Sequence, residues 1–175
     1  MLQFLGHDKP VYSVAFSPDG KLLASGSDDH TIRIWSLEEQ REVLLLRHTA
    51  QITSVSFSPD GKLLASGSRD HTVILWDAKS GRRLRTMRGH EDEVFMIAFS
   101  PDGKTLVSTG RDKVVRMWKV NSGQQLLALK GHSSVVGSLA VSPDGKYLAS
   151  GSKTIRIWEL STGRNLQTLK GHMPR

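Results

Sequence analysis

Apolar and polar residues alternate along the chain in short runs with a period of two, the pattern of half-buried strands. VYSVAFS alternates from Val11, KLLASGS follows from Lys21, and TIRIW alternates from Thr31. A fourth apolar run, VLLL, spans residues 43–46 just before His48. No long stretch with the helical period of 3.6 interrupts these runs. The pattern therefore predicts four consecutive short strands.

The segments between the runs have the composition of tight turns. Ser-Pro-Asp-Gly joins the first two predicted strands, where proline suits the second position of a turn and glycine accepts a positive φ at its end. The connection before the fourth strand also contains glycine in the later copies, in SGR, SGQ and TGR. Strands joined in this way are predicted to form a four-stranded antiparallel meander.

The same unit is copied along the chain. SPDG begins at Ser17, Ser58, Ser100 and Ser142, so successive copies start 41, 42 and 42 residues apart. Tryptophan repeats with the same spacing at Trp35, Trp76, Trp118 and Trp158, and histidine at His7, His48, His90, His132 and His172. Four units are therefore present, and a fifth has begun.

Units that run from Gly-His to Trp-Asp resemble those of the WD-repeat β-propellers, although only Trp76-Asp77 is literally Trp-Asp here. The resemblance covers essentially the whole chain and implies an all-β propeller of four-stranded antiparallel blades in a single domain, 1–175. In that family the sequence repeat is out of phase with the blade. The blades are accordingly expected over 11–47, 52–88, 94–130 and 135–170, with 2–5 as a redundant outer strand.

Four such blades are expected to fill half of a ring. The preferred expectation is that two chains close an eight-bladed ring with two-fold symmetry, in which 2–5 competes with 166–170 for one edge. A compressed four-bladed monomer, a larger ring and a fragment of a longer chain stay open as alternatives.

A histidine, a serine, an aspartate and a tryptophan recur in the first three units with constant spacings of 18, 4 and 6 residues. Because a catalytic triad has no reason to recur in consecutive units, a structural role is preferred. The resemblance implies that each set forms a buried hydrogen-bonded tetrad. The expected sets are His7, Ser25, Asp29 and Trp35; His48, Ser66, Asp70 and Trp76; and His90, Ser108, Asp112 and Trp118.

The fourth unit lacks two residues between its serine and its tryptophan. His132, Ser150 and Trp158 remain, and counting back from the tryptophan places Ser152 at the position of the aspartate. We expect a tighter hairpin and the least stable blade, with a loss of about 1–3 kcal/mol if the histidine is buried without a partner.

The resemblance also implies a partner-binding site on the narrower, top face of the propeller. The positions of this sequence that match the family's binding positions lie just before the tetrad aspartate and around the start of the innermost strand. The expected partner-binding residues are Tyr12, Asp28, Gln51, Thr53, Arg69, Glu93, Phe95, Arg111 and Val135. Tyr12 and Phe95 have the alternative of capping the central channel, and Arg69 and Arg111 that of pairing with nearby acids.

Composition narrows the remaining functions. The chain has 175 residues, 38% of them hydrophobic, a net charge of +7 and no cysteine, so disulfides and thiolate metal sites are excluded. The longest clear aliphatic run is four residues, too short for a membrane span, and a cytoplasmic location is expected. His30 and His71 lie in the same turns as tetrad aspartates, but no metal or other cofactor is expected because several convergent ligands would be needed.

The sequence thus predicts a non-enzymatic scaffold that binds a peptide or protein on its top face and pairs with a second copy of itself. One alternative is an engineered or excised half-propeller whose only activity is self-assembly. Another is a nucleic-acid-binding propeller, for which Arg82, Arg83, Arg85 and Arg88 form a basic cluster. Charges on an outer strand also deter edge-to-edge aggregation, so nucleic acid is not the preferred partner.

Overall fold

A computed structural model describes residues 6–170, which form sixteen strands in four sheets. The expected outer strand 2–5 lies outside the described residues. The strands are β1 Val11–Phe16, β2 Leu22–Ser27, β3 Thr31–Ser36, β4 Arg41–Arg47, β5 Ile52–Phe57, β6 Leu63–Ser68, β7 Thr72–Asp77, β8 Arg83–Arg88, β9 Val94–Phe99, β10 Thr105–Gly110, β11 Val115–Lys119, β12 Gln125–Leu129, β13 Ser138–Val141, β14 Tyr147–Gly151, β15 Ile155–Glu159 and β16 Asn165–Leu169.

Each sheet is a meander of four consecutive antiparallel strands: β1–β4, β5–β8, β9–β12 and β13–β16. These are the four blades, numbered in chain order. Each is an all-β propeller blade, as the repeats predict. No helix among residues 6–170 is long and apolar enough to cross a membrane.

The Ser-Pro-Asp-Gly turns explain why the first hairpin of each blade forms locally. In the first blade the Ser17 hydroxyl donates to Asp19 Oδ1 at 2.6 Å, and the backbone N–H of Lys21 donates to the same oxygen at 3.0 Å. Gly20 follows with a φ of 70°, a conformation that glycine adopts without steric cost. The hydrogen bonds from Ser17 and Lys21 hold the pKa of Asp19 below its ordinary value. The turn is therefore specified by its own four residues.

The hydrophobic core lies between blades rather than inside them. Ile32, Ile34 and Leu46 of the first blade pack with Ile52 and Phe57 of the second, and two further clusters join the second blade to the third and the third to the fourth. Successive blades therefore hold each other together through apolar faces, and each blade needs a neighbour to bury its face.

The two end blades each leave one such face uncovered. Val14 and Phe16 are 61% and 64% exposed, whereas Val55 and Phe57, at the same positions of the second blade, are 5% and 8% exposed. We call Val14 and Phe16 the leading face. On the fourth blade, Ile155 and Leu169 form the corresponding trailing face and are 38% and 40% exposed.

Candidate functional site

The tetrad residues of the first three blades are joined in a hydrogen-bonded chain. In the second blade the indole N–H of Trp76 donates to Ser66 Oγ at 2.8 Å, Ser66 Oγ lies 2.7 Å from His48 Nε2, and His48 Nδ1 lies 2.9 Å from Asp70 Oδ2. The first and third blades repeat these contacts with distances of 2.7–2.9 Å. The serine hydroxyl is buried and already bonded on two sides, a structural arrangement rather than an exposed nucleophile.

The tetrad aspartate also fixes the backbone at the top of the blade. Asp70 Oδ1 accepts the backbone N–H of Thr72 at 3.0 Å, and Oδ2 accepts that of Thr49 at 3.2 Å. Burial opposes ionisation of these aspartates, but the hydrogen bonds and the neighbouring histidine outweigh it, so the pKa of Asp112 falls to about 2. The pKa values of Asp29 and Asp70 are also lowered, because besides the histidine each accepts a hydrogen bond from a threonine hydroxyl, of Thr31 and Thr72 respectively. Each carboxylate is therefore ionised and joins the loop before the blade to the hairpin between the second and third strands.

The residue after the tetrad aspartate has a backbone role. His30, His71 and Lys113 have φ values of 69°, 68° and 66°. This left-handed conformation is uncommon for residues other than glycine, and histidine is among the types enriched in it. Within residues 6–170 no group of three histidine, aspartate or glutamate side chains could hold a metal ion. These side chains belong to the turn that positions the aspartate.

The fourth blade keeps only part of the chain of hydrogen bonds. Trp158 Nε1 donates to Ser150 Oγ at 2.7 Å, and Ser150 Oγ lies 2.7 Å from His132 Nε2. His132 is 7% exposed, and its Nδ1 has no hydrogen-bond partner among residues 6–170. Burial and then the charge of Arg156 lower the pKa of His132. The blade therefore contains a buried, unpaired imidazole nitrogen.

Ser152 does not take the position of the aspartate. Gly151 pairs with Ile155 as Gly26 pairs with Ile32, so three residues complete the fourth hairpin where five complete the first. This register makes Ser152 the counterpart of Ser27 and leaves the aspartate without one. Counting back from the tryptophan was misleading because the deletion lies in the turn itself, after Ser152.

On the top face, four of the predicted partner-binding residues form one continuous cluster across three blades. The Arg69 guanidinium carbon lies 5.8 Å from the centre of the Tyr12 ring. Glu93 Oε2 lies 4.0 Å from Arg69 Nε and 3.3 Å from Arg111 Nη1. We call Tyr12, Arg69, Glu93 and Arg111 the top-face cluster. Its two guanidinium groups share a single carboxylate.

Backbone hydrogen bonds hold these positions side by side. The N–H of Arg69 donates to the carbonyl of Gln51 at 3.0 Å, and the N–H of Arg111 donates to that of Glu93 at 2.8 Å. Asp28 has the same relation to Pro10, at 2.9 Å. The remaining predicted residues are partly buried and lie outside the ion pairs and the ring contact of the cluster. They are Asp28, Gln51, Thr53, Phe95 and Val135.

Two contacts at the blade interfaces were missed by sequence reasoning. Ser13 Oγ accepts the N–H of Val55 at 3.0 Å, and Ser54 Oγ accepts that of Ile97 at 3.3 Å. A serine recurs at this position of the innermost strand in the first, second and fourth units, the last being Ser138. That recurrence was the available signal.

Two arginines of the basic cluster on the outer strand of the second blade make contacts within the protein. The Arg83 guanidinium lies 5.2 Å from the centre of a ring of Trp76 and donates to the carbonyl of Arg47 at 3.3 Å. Arg85 donates to the carbonyl of Asn121 in the third blade at 2.5 and 2.9 Å. These two arginines therefore connect blades, which reduces the charge that is free to meet a phosphate backbone.

A repeated four-stranded blade with a histidine–serine–aspartate–tryptophan chain defines a WD-repeat propeller. The family profile of the second β-propeller of echinoderm microtubule-associated proteins matches residues 4–172. The chain belongs to this family of WD-repeat β-propellers.

Curated relatives match over about one repeat each. The chain is 48% identical over 46 residues to transcription initiation factor TFIID subunit 5 of Caenorhabditis elegans, covering 26% of this chain and 7% of that protein. It is 54% identical over 44 residues to WD repeat-containing protein SL1-17 of Schistosoma mansoni, covering 25% and 15%. It is 50% identical over 40 residues to general transcriptional corepressor TUP1 of Saccharomyces cerevisiae, covering 23% and 6%. The chain thus matches no more than 15% of the length of these relatives. WD-repeat propellers generally mediate protein–protein interactions and are typically non-enzymatic.

Proposed function

We propose that the chain is a non-enzymatic scaffold whose top-face cluster binds an acidic segment of a protein partner. The observation that carries the proposal is the shared carboxylate: Glu93 faces both Arg69 and Arg111, so one positive charge in the cluster is uncompensated. Guanidinium groups make strong bidentate hydrogen bonds with carboxylates, which makes an aspartate or glutamate of the partner the matching group.

The aromatic ring beside the arginines supports a protein partner over a free ion. Tyr12 is 51% exposed and already lies against the guanidinium of Arg69. Tyrosine and arginine are the residue types that most often anchor protein interfaces. An acidic residue of the partner could therefore pair with the arginines while an adjacent apolar or aromatic residue packs against the ring of Tyr12.

The test starts from peptides selected against the wild-type chain in a random displayed library. Replacing both arginines (Arg69→Ala with Arg111→Ala) is expected to weaken the selected acidic peptides at least 100-fold by calorimetry, about 3 kcal/mol at 1.4 kcal/mol per tenfold. The matched control removes two exposed cations elsewhere, Arg88→Ala with Lys130→Ala. The proposal is wrong if selection gives no acidic preference, or if both double variants bind alike.

A second function, self-association, is supported by the two uncovered blade faces. Between the first and second blades, Ile52 and Val55 lie so close to Gly26 that a side chain there would clash with them. Gly151 occupies the same position in the fourth blade and, among residues 6–170, meets no residue of another blade. Beside it lies a groove of about 650 Å³, lined by Val135, Gly137, Ser138, Gly151 and Ile155 among others.

We propose that Val11 and Val14 of a second copy occupy this groove, since they stand at the positions of Ile52 and Val55. With the leading face of each copy on the trailing face of the other, two chains close an eight-bladed ring and hide both apolar surfaces. Light scattering on a sizing column should give twice the 19.4 kDa mass of the chain across concentrations. A monomeric mass would contradict the ring of two copies.

The two proposals are separable by experiment. If self-assembly is the only activity, as in an engineered or excised half-propeller, the dimer forms and library selection returns no peptide that depends on Arg69 and Arg111. Nucleic-acid binding is not favoured, because Arg83 and Arg85 are engaged between blades. Salt-sensitive binding of a generic DNA duplex that is lost in Arg82→Ala with Arg88→Ala would reverse that judgement.

A further inference from the structure

The fourth blade keeps donors of the tetrad carboxylate position, but no carboxylate among residues 6–170 pairs with His132 Nδ1 there. In the first three blades the tetrad carboxylate lies 2.8–2.9 Å from the histidine Nδ1 and 3.2–3.3 Å from the backbone N–H of the next residue. The corresponding groups of the fourth blade are His132 Nδ1 and the N–H of Ser133. The donors are present on the loop, and the acceptor is deleted from the hairpin.

The proton on the imidazole is directed to this position. The Ser150 hydroxyl accepts the indole N–H of Trp158, so its own proton is available to His132 Nε2. The ring proton then lies on Nδ1, which is buried and has no acceptor among residues 6–170. A buried donor without an acceptor costs free energy, and an acceptor that reaches it gains hydrogen-bond strength from the low local dielectric.

A positive side chain stands beside the same position. In the third blade, Arg116 Nη2 donates to the tetrad carboxylate of Asp112 at 3.2 Å. Arg156 is the counterpart in the fourth blade, and its Nη2 donates instead to the carbonyl of Gly131 at 2.8 Å, next to His132. The fourth blade thus keeps the arginine that pairs with the tetrad carboxylate in the third blade, and it lacks that carboxylate.

We infer that the shortened fourth blade binds an exogenous carboxylate, which hydrogen-bonds to His132 Nδ1 and pairs with Arg156 where the other blades place their own aspartate. In the other blades this position holds the planar carboxylate of an aspartate, so formate and an aspartyl side chain are the ligands that we expect here. It lies in a different blade from the top-face cluster, so its occupancy does not depend on the partner binding proposed for that cluster.

The experiment compares the wild-type chain with a variant that supplies the missing aspartate. Replacing Lys153 by the tripeptide Asp-Asp-His gives the fourth hairpin the turn of the first blade, in which these three residues precede Thr31. Both proteins are titrated with sodium formate against sodium chloride at constant ionic strength, with N-acetyl-aspartate methylamide as a second probe. The readouts are the thermal midpoint and the imidazole nitrogen NMR signal of His132.

The wild type is expected to gain about 3 °C at saturating formate, with a saturable shift of the His132 signal. The variant is expected to start from a higher midpoint and to lose the formate response. If only formate shifts the His132 signal, the ligand is a small free acid. If both probes shift it, an aspartyl side chain of a polypeptide also fits the site. The inference is overturned if neither probe shifts His132, or if the wild type and the variant respond equally. The NMR titration of the wild type decides the question even if the variant does not fold.

Discussion

The tetrad aspartate is the residue that we expect to make each complete blade sensitive to acid. Asp112 has a pKa of about 2 in the folded chain, below the ordinary value of about 3.9. A lowered pKa contributes stability that is complete above about pH 5 and is lost as the pH falls toward the folded pKa. The pKa values of Asp29 and Asp70 are lowered as well, whereas the fourth blade has no aspartate at this position.

Removing one carboxylate should therefore matter more at neutral pH than in acid. We expect Asp112→Asn to lower the free energy of unfolding by about 1–3 kcal/mol at pH 7, because it leaves buried His90 and Arg116 without their anion. The difference from the wild type should decrease as the pH falls from about 5 toward 2 and be smallest at the lowest pH measured. Denaturant unfolding at several pH values measures both, with the exposed Asp8→Asn as the control. A pH-independent deficit would contradict the linkage.

For individual residues, the sequence predicted which side chains meet in the three complete tetrads, but it assigned Ser152 to the wrong position of the fourth hairpin. The constant spacing of 18, 4 and 6 residues identified the tetrads because each blade repeats one geometry. The same counting misplaced Ser152. The positions in a shortened turn can be counted forward from the serine or back from the tryptophan, and only the pairing of Gly151 with Ile155 shows which count is right. Pairing of Arg69 and Arg111 with nearby acids was one of the alternatives. The sequence could not identify Glu93 as the acid that both share, because its contact with Arg69 crosses from the third blade to the second.

Among the elements, the fourth blade is the one in which local signals are weakest. Its innermost strand, Ser138–Val141, has four residues against six in Ile52–Phe57, and its hairpin lacks the carboxylate that fixes the turn. The meander itself was predictable, because the Ser-Pro-Asp-Gly turns are specified locally and all four are intact. The shorter strand was not, because its length depends on strand pairing: it begins at Ser138 opposite Gly151, whereas β5 begins at Ile52 opposite Ser68.

Hydrogen exchange should reveal this difference between blades. Amides of Ser138–Val141 are expected to exchange at least ten times faster than those of Ile52–Phe57, a difference of about 1.4 kcal/mol in local opening. The first blade, Val11–Phe16, also has an uncovered face but keeps its tetrad, so it serves as the internal control. If amides of the first and fourth blades exchange at the same rate, the faster exchange results from the uncovered blade face, and the incomplete tetrad is not its cause.

For the whole molecule, the decisive feature is that the core is built from blade-to-blade contacts. In such a core the leading face of each blade after the first is buried by the trailing face of the blade before it. Ser13 and Ser54 also accept a backbone N–H of the next blade, and Ser138 stands at the same position of the fourth blade. The number of blades per ring was not readable from the sequence, because near-identical repeats specify the neighbour contact and not the count. The exposed leading and trailing faces are what support pairing with a second copy.

A charge placed on either uncovered face should therefore separate the copies without unfolding the chain. We expect Val14→Glu and Ile155→Glu each to change the scattering mass from twice 19.4 kDa to 19.4 kDa, because a carboxylate would be buried without a partner in the interface. Leu126→Glu is the matched control, since Leu126 is 45% exposed and lies on the outer strand of the third blade, which has another blade on each side. Since the leading and trailing faces meet each other, mixing the two glutamate variants should restore no more than one interface per pair. If Val14→Glu and Leu126→Glu both stay dimeric, the interface lies elsewhere.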